Sequence, residues 1–194
     1  TYSYIGKMAA YERDRQGVSA EMVCKGLCDL DTYNGFEKGE DIEDIHVVRL
    51  LLQRLGISVS LAGRYLCRDE YDEMHARFNI LELLRADKLI LAKKAAQEYK
   101  NCYCAESRLN KQFMAYMSAR IAQLDGDTVG ALCLYKKAIG YTIEDYGVAE
   151  FTCISVYEYF MLANIARLNA VLENYMEAEK LYERLLAYCH RRNS

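Results

Sequence analysis

Apolar residues recur along this chain at spacings of three and four, which is the period of an amphipathic helix. In the first 58 residues this period predicts four helices, over Tyr4–Gln16, Ala20–Gly26, Asp31–Lys38 and Ile42–Leu55. Farther along, it predicts helices over 71–84, 87–99, 109–124 and 129–141, and a further pair within 164–186. Ser19 is a suitable N-cap, and Gly17 and Gly39 stand where helices end. The pattern therefore predicts an all-α fold.

One stretch, from Met117 to Ile139, combines small residues at a helix crossing with a Gly-Asp turn. Its main features return 47 residues later, in the pairs Ala119 and Ala166, Arg120 and Arg167, Ala131 and Ala178, Tyr135 and Tyr182, and Tyr141 and Tyr188. This recurrence resembles the tetratricopeptide repeat (TPR), whose usual period of about 34 residues leaves about 13 inserted, most naturally at Thr142–Ser155. An α-solenoid of TPR-like helix pairs is therefore predicted.

The amino-terminal helices carry a second resemblance. Its motifs are I-G-K at Ile5, S-A-E-M-V at Ser19, G-L-C at Gly26, F-E-K-G-E at Phe36 and L-L-Q-R-L-G-I-S at Leu51. They resemble the Cro/phage-repressor (XRE) family, which implies a five-helix-type helix-turn-helix domain over residues 1–60. In such domains the third helix enters the major groove of operator DNA. The candidate DNA contacts are Lys25 and Lys38 for phosphates, Thr32 and Asn34 for base edges, and Leu30 beside them.

The predicted recognition helix departs from that family in its charge. Asp29 and Asp31 stand at its start, Gly35 occupies a position that is usually basic, and residues 1–57 contain seven Lys/Arg against ten Asp/Glu. Carboxylates repel the phosphates on which DNA affinity depends. Two interpretations stay open: a DNA-binding domain, or the same fold retained for packing or dimerisation. A basic rim would favour DNA binding, and its candidates are Lys7, Arg13, Arg15 and Lys25.

The two parts together resemble the XRE-TPR regulators of Gram-positive bacteria, in the broad Rgg/PlcR-type group of peptide-responsive regulators. The motifs are L-C-R-D-E-Y at Leu66, L-N-K-Q-F at Leu109, A-I-G-Y-T-I-E-D-Y at Ala138 and L-A-N-I-A at Leu162. The resemblance implies a cytoplasmic, homodimeric transcription regulator whose TPR-like domain, over residues 61–194, binds a short peptide or a protein partner. Such relatives usually carry further repeats, so a truncated array is expected. The alternative is a protein-interaction module that does not bind DNA.

The repeat register predicts where a peptide would bind. In stacked helix pairs, the first helix of each pair lines the concave side. Arginine can clamp a carboxylate, and an asparagine amide can pair with a peptide backbone. The candidate peptide contacts are Phe113, Tyr116, Arg120, Phe160, Asn164 and Arg167. The alternatives are that Asn164 caps or bridges a neighbouring helix, that the arginines pair with Glu106, Glu158 or Asp127, and that the phenylalanines belong to the core.

The remaining composition favours neither catalysis nor metal binding. Eight scattered cysteines, mostly on apolar helix faces, are expected to be buried reduced thiols, with a disulfide framework or a zinc site as the alternatives. The three histidines are isolated, and Cys102-x-Cys104 lacks zinc-ligand spacing, so no metal or cofactor is expected. No catalytic triad or phosphate-binding loop is present, which argues against an enzyme. No apolar run of about 18 residues exists, so no membrane span is predicted.

Overall fold

A computed structural model of the chain describes residues 3–58, 68–103, 107–148 and 150–193. Every regular element within these ranges is a helix, which confirms the all-α prediction. The chain divides into two compact units. Unit 1 comprises Thr1–Cys67 with Glu150–Tyr159, and unit 2 comprises Arg68–Ala149 with Phe160–Ser194. The boundary predicted after residue 60 lies outside the described residues, as would a fifth helix of the amino-terminal domain.

Unit 1 contains α1 (Ser3–Arg15), α2 (Ala20–Cys24), α3 (Leu30–Lys38) and α4 (Ile45–Arg54). The predicted caps are present at α2 and α3. The Ser19 hydroxyl accepts the Met22 N–H at 3.3 Å as the N-cap of α2, and Gly39 ends α3 with a φ of 102°. A positive φ of this kind suits glycine, which has no Cβ.

One helix of unit 1 begins later than predicted. The pattern placed its start at Ile42, but α4 begins at Ile45, because the Asp44 side chain accepts the His46 N–H at 2.8 Å as an N-cap. Ile42 is nevertheless buried, so its apolar side chain contributes to the core from outside the helix. The apolar period therefore identified a buried residue correctly and the helix start wrongly.

The core of unit 1 depends on a close crossing of α1 and α3. Gly6, on α1, lies against the backbone of Phe36 on α3, and a Cβ built on Gly6 would overlap the Phe36 carbonyl oxygen. The neighbouring side chains Ile5, Ala9, Tyr33 and Phe36 are all buried. Glycine at position 6 therefore permits the distance at which these two helices pack.

Unit 2 contains α5 (Arg68–Arg85), α6 (Leu89–Tyr103), α7 (Arg108–Leu124), α8 (Thr128–Gly140) and α10 (Tyr175–Asn193), together with most of α9 (Val156–Val171). The first four residues of α9 belong to unit 1. The predicted insertion at Thr142–Ser155 falls in the non-helical connection between α8 and α9. The small residues predicted at the helix crossings, Ala119, Ala131, Ala166 and Ala178, are all buried.

Buried polar side chains connect helices within unit 2. The amide of Gln112, on α7, donates to the Ala138 carbonyl at 3.1 Å and to the Thr142 hydroxyl at 2.9 Å, which ties α7 to the end of α8. The Arg77 guanidinium, on α5, donates to the Tyr99 hydroxyl at 2.8 Å and to the Asn110 side chain at 2.6 Å. Because buried polar groups are costly without partners, these bonds select one arrangement of α5 to α8.

Candidate functional site

Two arginines from successive helix pairs lie near one tyrosine of unit 2. Arg120 is half-buried on α7, Arg167 is exposed on α9, and Tyr135 is buried on the intervening α8. Burial raises the pKa of the Tyr135 phenol, and the positive charges of Arg120 and Arg167 oppose that rise. The phenol hydroxyl donates to the Gln123 side chain at 3.2 Å, which fixes its direction. Both arginines were predicted as peptide contacts from the repeat register, whereas Tyr135 was identified only as a repeated feature of the helix pair.

The carboxylates considered as partners for these arginines are engaged elsewhere. Glu158 forms a buried ion pair with Arg54, and Asp127 caps α8 by accepting the Gly130 N–H at 2.8 Å. Glu106 lies outside the described residues. Within the ranges that the structure describes, neither Arg120 nor Arg167 forms an ion pair. Among the described residues, neither guanidinium group is therefore neutralised by a carboxylate.

Asn164 lies one turn before Arg167 and is bonded within its own helix. Its side-chain amide donates to the Phe160 carbonyl at 2.8 Å, and its oxygen accepts from Arg167 at 3.3 Å. Among the described residues, the Asn164 side chain therefore bonds within α9 and does not cap or bridge a neighbouring helix. The Phe160 side chain is 48% exposed on the same helix, so it remains accessible for contact.

Two predicted peptide contacts are core residues in this structure. Phe113 is 6% exposed, with its ring 5.2 Å from that of Tyr99 and the Arg77 guanidinium 4.6 Å from its centroid. Tyr116 is equally buried, and its ring lies 5.9 Å from that of Tyr135. The repeat register placed both on the ligand-facing side, but aromatic packing between helices covers them. In this conformation neither side chain is accessible to a peptide.

A separate cavity of about 100 Å³ lies elsewhere in unit 2. Its walls include Lys136, Tyr146, Glu177 and Arg184, and none of the six predicted peptide contacts lines it. The Arg184 guanidinium donates to the carbonyls of Tyr146 and Gly147 at 2.7 and 2.9 Å. That arginine therefore holds the connection after α8 against α10.

In unit 1, an acidic cap occupies the start of α3. The Asp29 carboxylate accepts the Thr32 N–H at 2.7 Å and the Thr32 hydroxyl at 3.0 Å, and these bonds lower the pKa of Asp29. A helix amino terminus is where a phosphate would bind, and here the chain fills it with its own carboxylate. Thr32, a predicted base contact, is thus held by Asp29.

The other predicted DNA contacts lie on or beside α3. Leu30 and Asn34 are half-buried, and Lys38 is exposed in the last turn. Lys25 is exposed at the end of α2, where its carbonyl accepts from Arg54 at 2.7 Å.

The predicted basic rim is partly neutralised. Arg13 bonds the Glu37 carboxylate at 2.6 and 3.0 Å, and this contact raises the pKa of Arg13. Arg15 pairs with Glu12 at 2.7 Å. Lys7 and Lys25 remain exposed. Because counterion release depends on cations that are available to phosphates, the rim contributes less positive charge than the sequence suggested.

Unit 1 contains a buried ion pair that the sequence pattern did not predict. Arg54 and Glu158 are 2% and 1% exposed, and they meet at 2.6 and 3.2 Å. Arg54 also donates to the carbonyl of Val23, in the last turn of α2, at 2.8 Å and to that of Lys25, just after α2, at 2.7 Å. Glu158 accepts the Ser155 N–H at 2.7 Å, which completes a capping box at the start of α9. The S-x-x-E pattern signals that cap, whereas nothing local signals the pairing with Arg54.

The six described cysteines are thiols outside any disulfide, but they are less buried than expected. Cys24 and Cys153 are buried, Cys28 and Cys189 are half-buried, and Cys102 and Cys133 are exposed, while Cys67 and Cys104 lie outside the described residues. Burial raises the pKa of Cys24.

Across the described ranges, no cluster of three or more His, Cys, Asp or Glu side chains could hold a metal ion. No helix in those ranges is both long and apolar enough to cross a membrane.

Comparisons with known proteins give little further information. No protein-family model matches the chain, and no curated protein matches it. A solved structure, the apo form of the competence regulator ComR from Streptococcus vestibularis, aligns with 98% of this chain and 79% of its own, at 16% sequence identity and a TM-score of 0.31. A similarity this low carries no information about function.

Proposed function

We propose that this chain is a peptide-responsive transcription regulator of the cytoplasm, in which unit 2 binds a short peptide through a carboxylate. The observation that carries the proposal is that the charges of Arg120 and Arg167 both act on the buried Tyr135, while neither arginine forms an ion pair among the described residues. Two positive charges that act on the same phenol repel each other, and an anion bound between them relieves that repulsion. A peptide carboxylate, from its carboxyl end or from an acidic side chain, supplies that anion and matches the fork of a guanidinium.

The surrounding side chains suit a peptide better than a small inorganic anion. Phe160 offers an exposed ring two turns before Arg167 on α9, and Asn164 lies between them with an amide that can both donate and accept. Apolar, amide and charged groups thus follow one another along one helix. A short peptide with an apolar residue near its carboxylate would contact all three.

The test is a binding measurement with a panel of fluorescently labelled heptapeptides, each made with a free and with an amidated carboxyl end. Arg120→Gln and Arg167→Gln are each expected to weaken binding of the best peptide about tenfold or more, because a charged hydrogen bond contributes about 1.5–3 kcal/mol. Lys111→Gln removes a charge from the exposed part of the same helix as Arg120 and is the matched control. Equal losses in all three variants would show general electrostatic attraction and overturn the specific site.

For the output of the regulator, we propose that unit 1 contacts operator DNA as part of a homodimer. The support is the α2-turn-α3 geometry, with Lys25 and Lys38 exposed at the ends of the motif and Asn34 on α3. In helix-turn-helix domains these positions meet phosphates and base edges. The acidic start of α3 predicts weak binding with a shallow salt dependence.

A second candidate for unit 1 is protein contact without DNA binding. The bonds of Asp29 to Thr32 and the ion pair between Arg13 and Glu37 favour it, since both reduce the groups available to phosphates.

Asp29→Asn and Asp31→Asn separate the two candidates. Asparagine preserves the cap while removing its charge. For a DNA-contacting domain the double variant binds a selected operator more tightly than wild type, and Lys38→Gln binds it more weakly. For a protein-contact domain, the wild-type protein shows no preference among DNA sequences even at low salt, and that result would refute the DNA proposal.

A further inference from the structure

The cavity of about 100 Å³ in unit 2 is built from four separate segments of the chain. One face of α10 supplies part of its wall, at helical spacings of three and four residues, through Glu177, Lys180, Leu181 and Arg184. The rest of the wall comes from α8, from α9 and from the connection between them, through Lys136, Ile165, Asn169, Tyr146 and Gly147. Residues that are distant in the sequence therefore surround one small space.

The most buried part of this wall is apolar apart from one amide. Ile165, Asn169 and Leu181 are all buried. The Asn169 amide donates to the Ile165 carbonyl at 3.0 Å, and among the described residues its second N–H is not bonded. Because a side-chain amide has two N–H donors, Asn169 retains one that a ligand with acceptor atoms can use.

The charged side chains of the wall carry more positive than negative charge. Lys136, Lys180 and Arg184 stand against the single carboxylate of Glu177. Within the described ranges, Lys136 is exposed and forms no ion pair. The Lys180 ammonium lies 3.9 Å from the Glu177 carboxylate, but both side chains are exposed, so this pair contributes little to stability. Both lysines are therefore available to a ligand.

Two further groups of the wall are in position without a ligand. The Arg184 guanidinium donates to the carbonyls of Tyr146 and Gly147, which fixes its positive charge beside the connection after α8. Burial and the negative charge of Glu177 raise the pKa of Tyr146, so its hydroxyl is protonated at neutral pH and can donate. The cavity therefore offers a fixed cation and a hydroxyl donor in addition to the two lysines.

We propose that this cavity binds a phosphate group, with Lys136 and Lys180 as its main charge partners. A phosphate monoester carries about −1.5 to −2 charge at neutral pH, which matches three cations and one carboxylate better than the single charge of a carboxylate ligand does. Phosphate oxygens accept hydrogen bonds, as the donors of Asn169 and Tyr146 require. Lysine binds phosphate as a point charge, so no planar fork is needed.

A ³¹P NMR titration of inorganic phosphate into the protein, at an ionic strength held constant with sodium chloride, tests the site. Lys136→Gln and Lys180→Gln are each expected to weaken phosphate binding about tenfold, the scale of a charged hydrogen bond. Lys137→Gln is the matched control, because it removes the same charge from the next exposed position of α8, outside the cavity wall. A wild-type protein that binds no phosphate, or equal losses at Lys136 and Lys137, would overturn the proposal.

Glu177→Gln gives a prediction of opposite sign. Removing the carboxylate from the wall should tighten phosphate binding about two- to fivefold, the scale of an exposed charge interaction. Glu179→Gln removes the same charge from an exposed position of α10 outside the wall and should have no effect. A gain in affinity cannot result from unfolding. Weaker binding by Glu177→Gln, or equal gains in both variants, would contradict the site.

Two further titrations identify the source of the phosphate group and separate this site from the peptide site. Tighter binding of ribose 5-phosphate than of inorganic phosphate indicates a phosphorylated metabolite, and the reverse order indicates the free ion. None of the predicted peptide contacts lines the cavity, so Arg120→Gln should bind phosphate as wild type does. Phosphate binding that is lost in Arg120→Gln and kept in Lys136→Gln would refute the cavity site. Phosphate binding without any peptide binding would refute the proposed function alone.

Discussion

Replacing Arg54 by methionine is expected to destabilise unit 1 severely. The side chain is 2% exposed and makes four hydrogen bonds, two to Glu158 and two to the carbonyls of Val23 and Lys25. Burial lowers the pKa of this guanidinium, but Glu158 more than offsets it, so the net pKa is raised and the pair is charged. Methionine retains apolar bulk and removes every donor.

The magnitude follows from what the substitution leaves behind. A buried ion pair that loses one partner typically costs about 3–5 kcal/mol, because the other charge stays buried. Here Glu158 keeps the bond from the Ser155 N–H, which moderates the loss. The two carbonyls that lose a donor add a penalty of about 1 kcal/mol or more each. Against a typical domain stability of 5–15 kcal/mol, a loss of about 5 kcal/mol would unfold much of unit 1.

Urea unfolding followed by far-ultraviolet circular dichroism measures the change. Arg15→Met is the matched control, since Arg15 pairs with Glu12 on the surface and should contribute little. The double variant Arg54→Met/Glu158→Leu removes both charges and should recover part of the loss. The reasoning is refuted if Arg54→Met costs no more than Arg15→Met, or if the double variant is no more stable than the single one.

Two further predictions concern packing and pH. Gly6→Ala should lower the free energy of unfolding by about 1–3 kcal/mol, because the added methyl group would overlap the Phe36 carbonyl. Gly140→Ala is the control, since its methyl group would meet no atom and the variant should be neutral. Equal melting temperatures for the two variants would contradict this prediction. Burial raises the pKa of the phenols of Tyr33, Tyr99 and Tyr135. Their folded pKa values exceed the unfolded value of about 10, so this stabilisation is complete below about pH 10 and is lost as pH rises through the folded values. Unfolding free energies measured at about pH 8 and pH 11 should fall with pH, and a phenolate titration complete near pH 10 in folded protein would oppose the prediction.

Local signals explain most of what the sequence predicted correctly. Ser19 and Gly39 act on residues within one turn, so caps and ends can be recognised without knowing the tertiary structure. The 47-residue offset extended this reach, because it related Arg120 to Arg167 through a repeated pattern rather than through a contact. The repeat thus identified both arginines, although 47 positions separate them in the sequence.

The residues that sequence reasoning misplaced depend on contacts between distant segments. Phe113 is buried because Arg77 and Tyr99, from two earlier helices, cover its ring. Its repeat equivalent Phe160 is 48% exposed, so the same pattern gives opposite outcomes in different surroundings. Periodicity identifies a face of a helix, but which neighbour covers that face is decided by the rest of the fold.

The pairing of Arg54 with Glu158 also has a consequence for biosynthesis. The two residues are 104 positions apart, and the second belongs to a segment that returns to unit 1 after most of unit 2 has been made. A ribosome that has released only the first 67 residues therefore presents an incomplete unit 1, with Arg54 lacking its carboxylate. Closing so long a loop is an entropic cost that delays completion of this unit. An expression fragment cut after α4 would inherit the same defect, and one that restores residues 150–159 as a tethered segment should fold better.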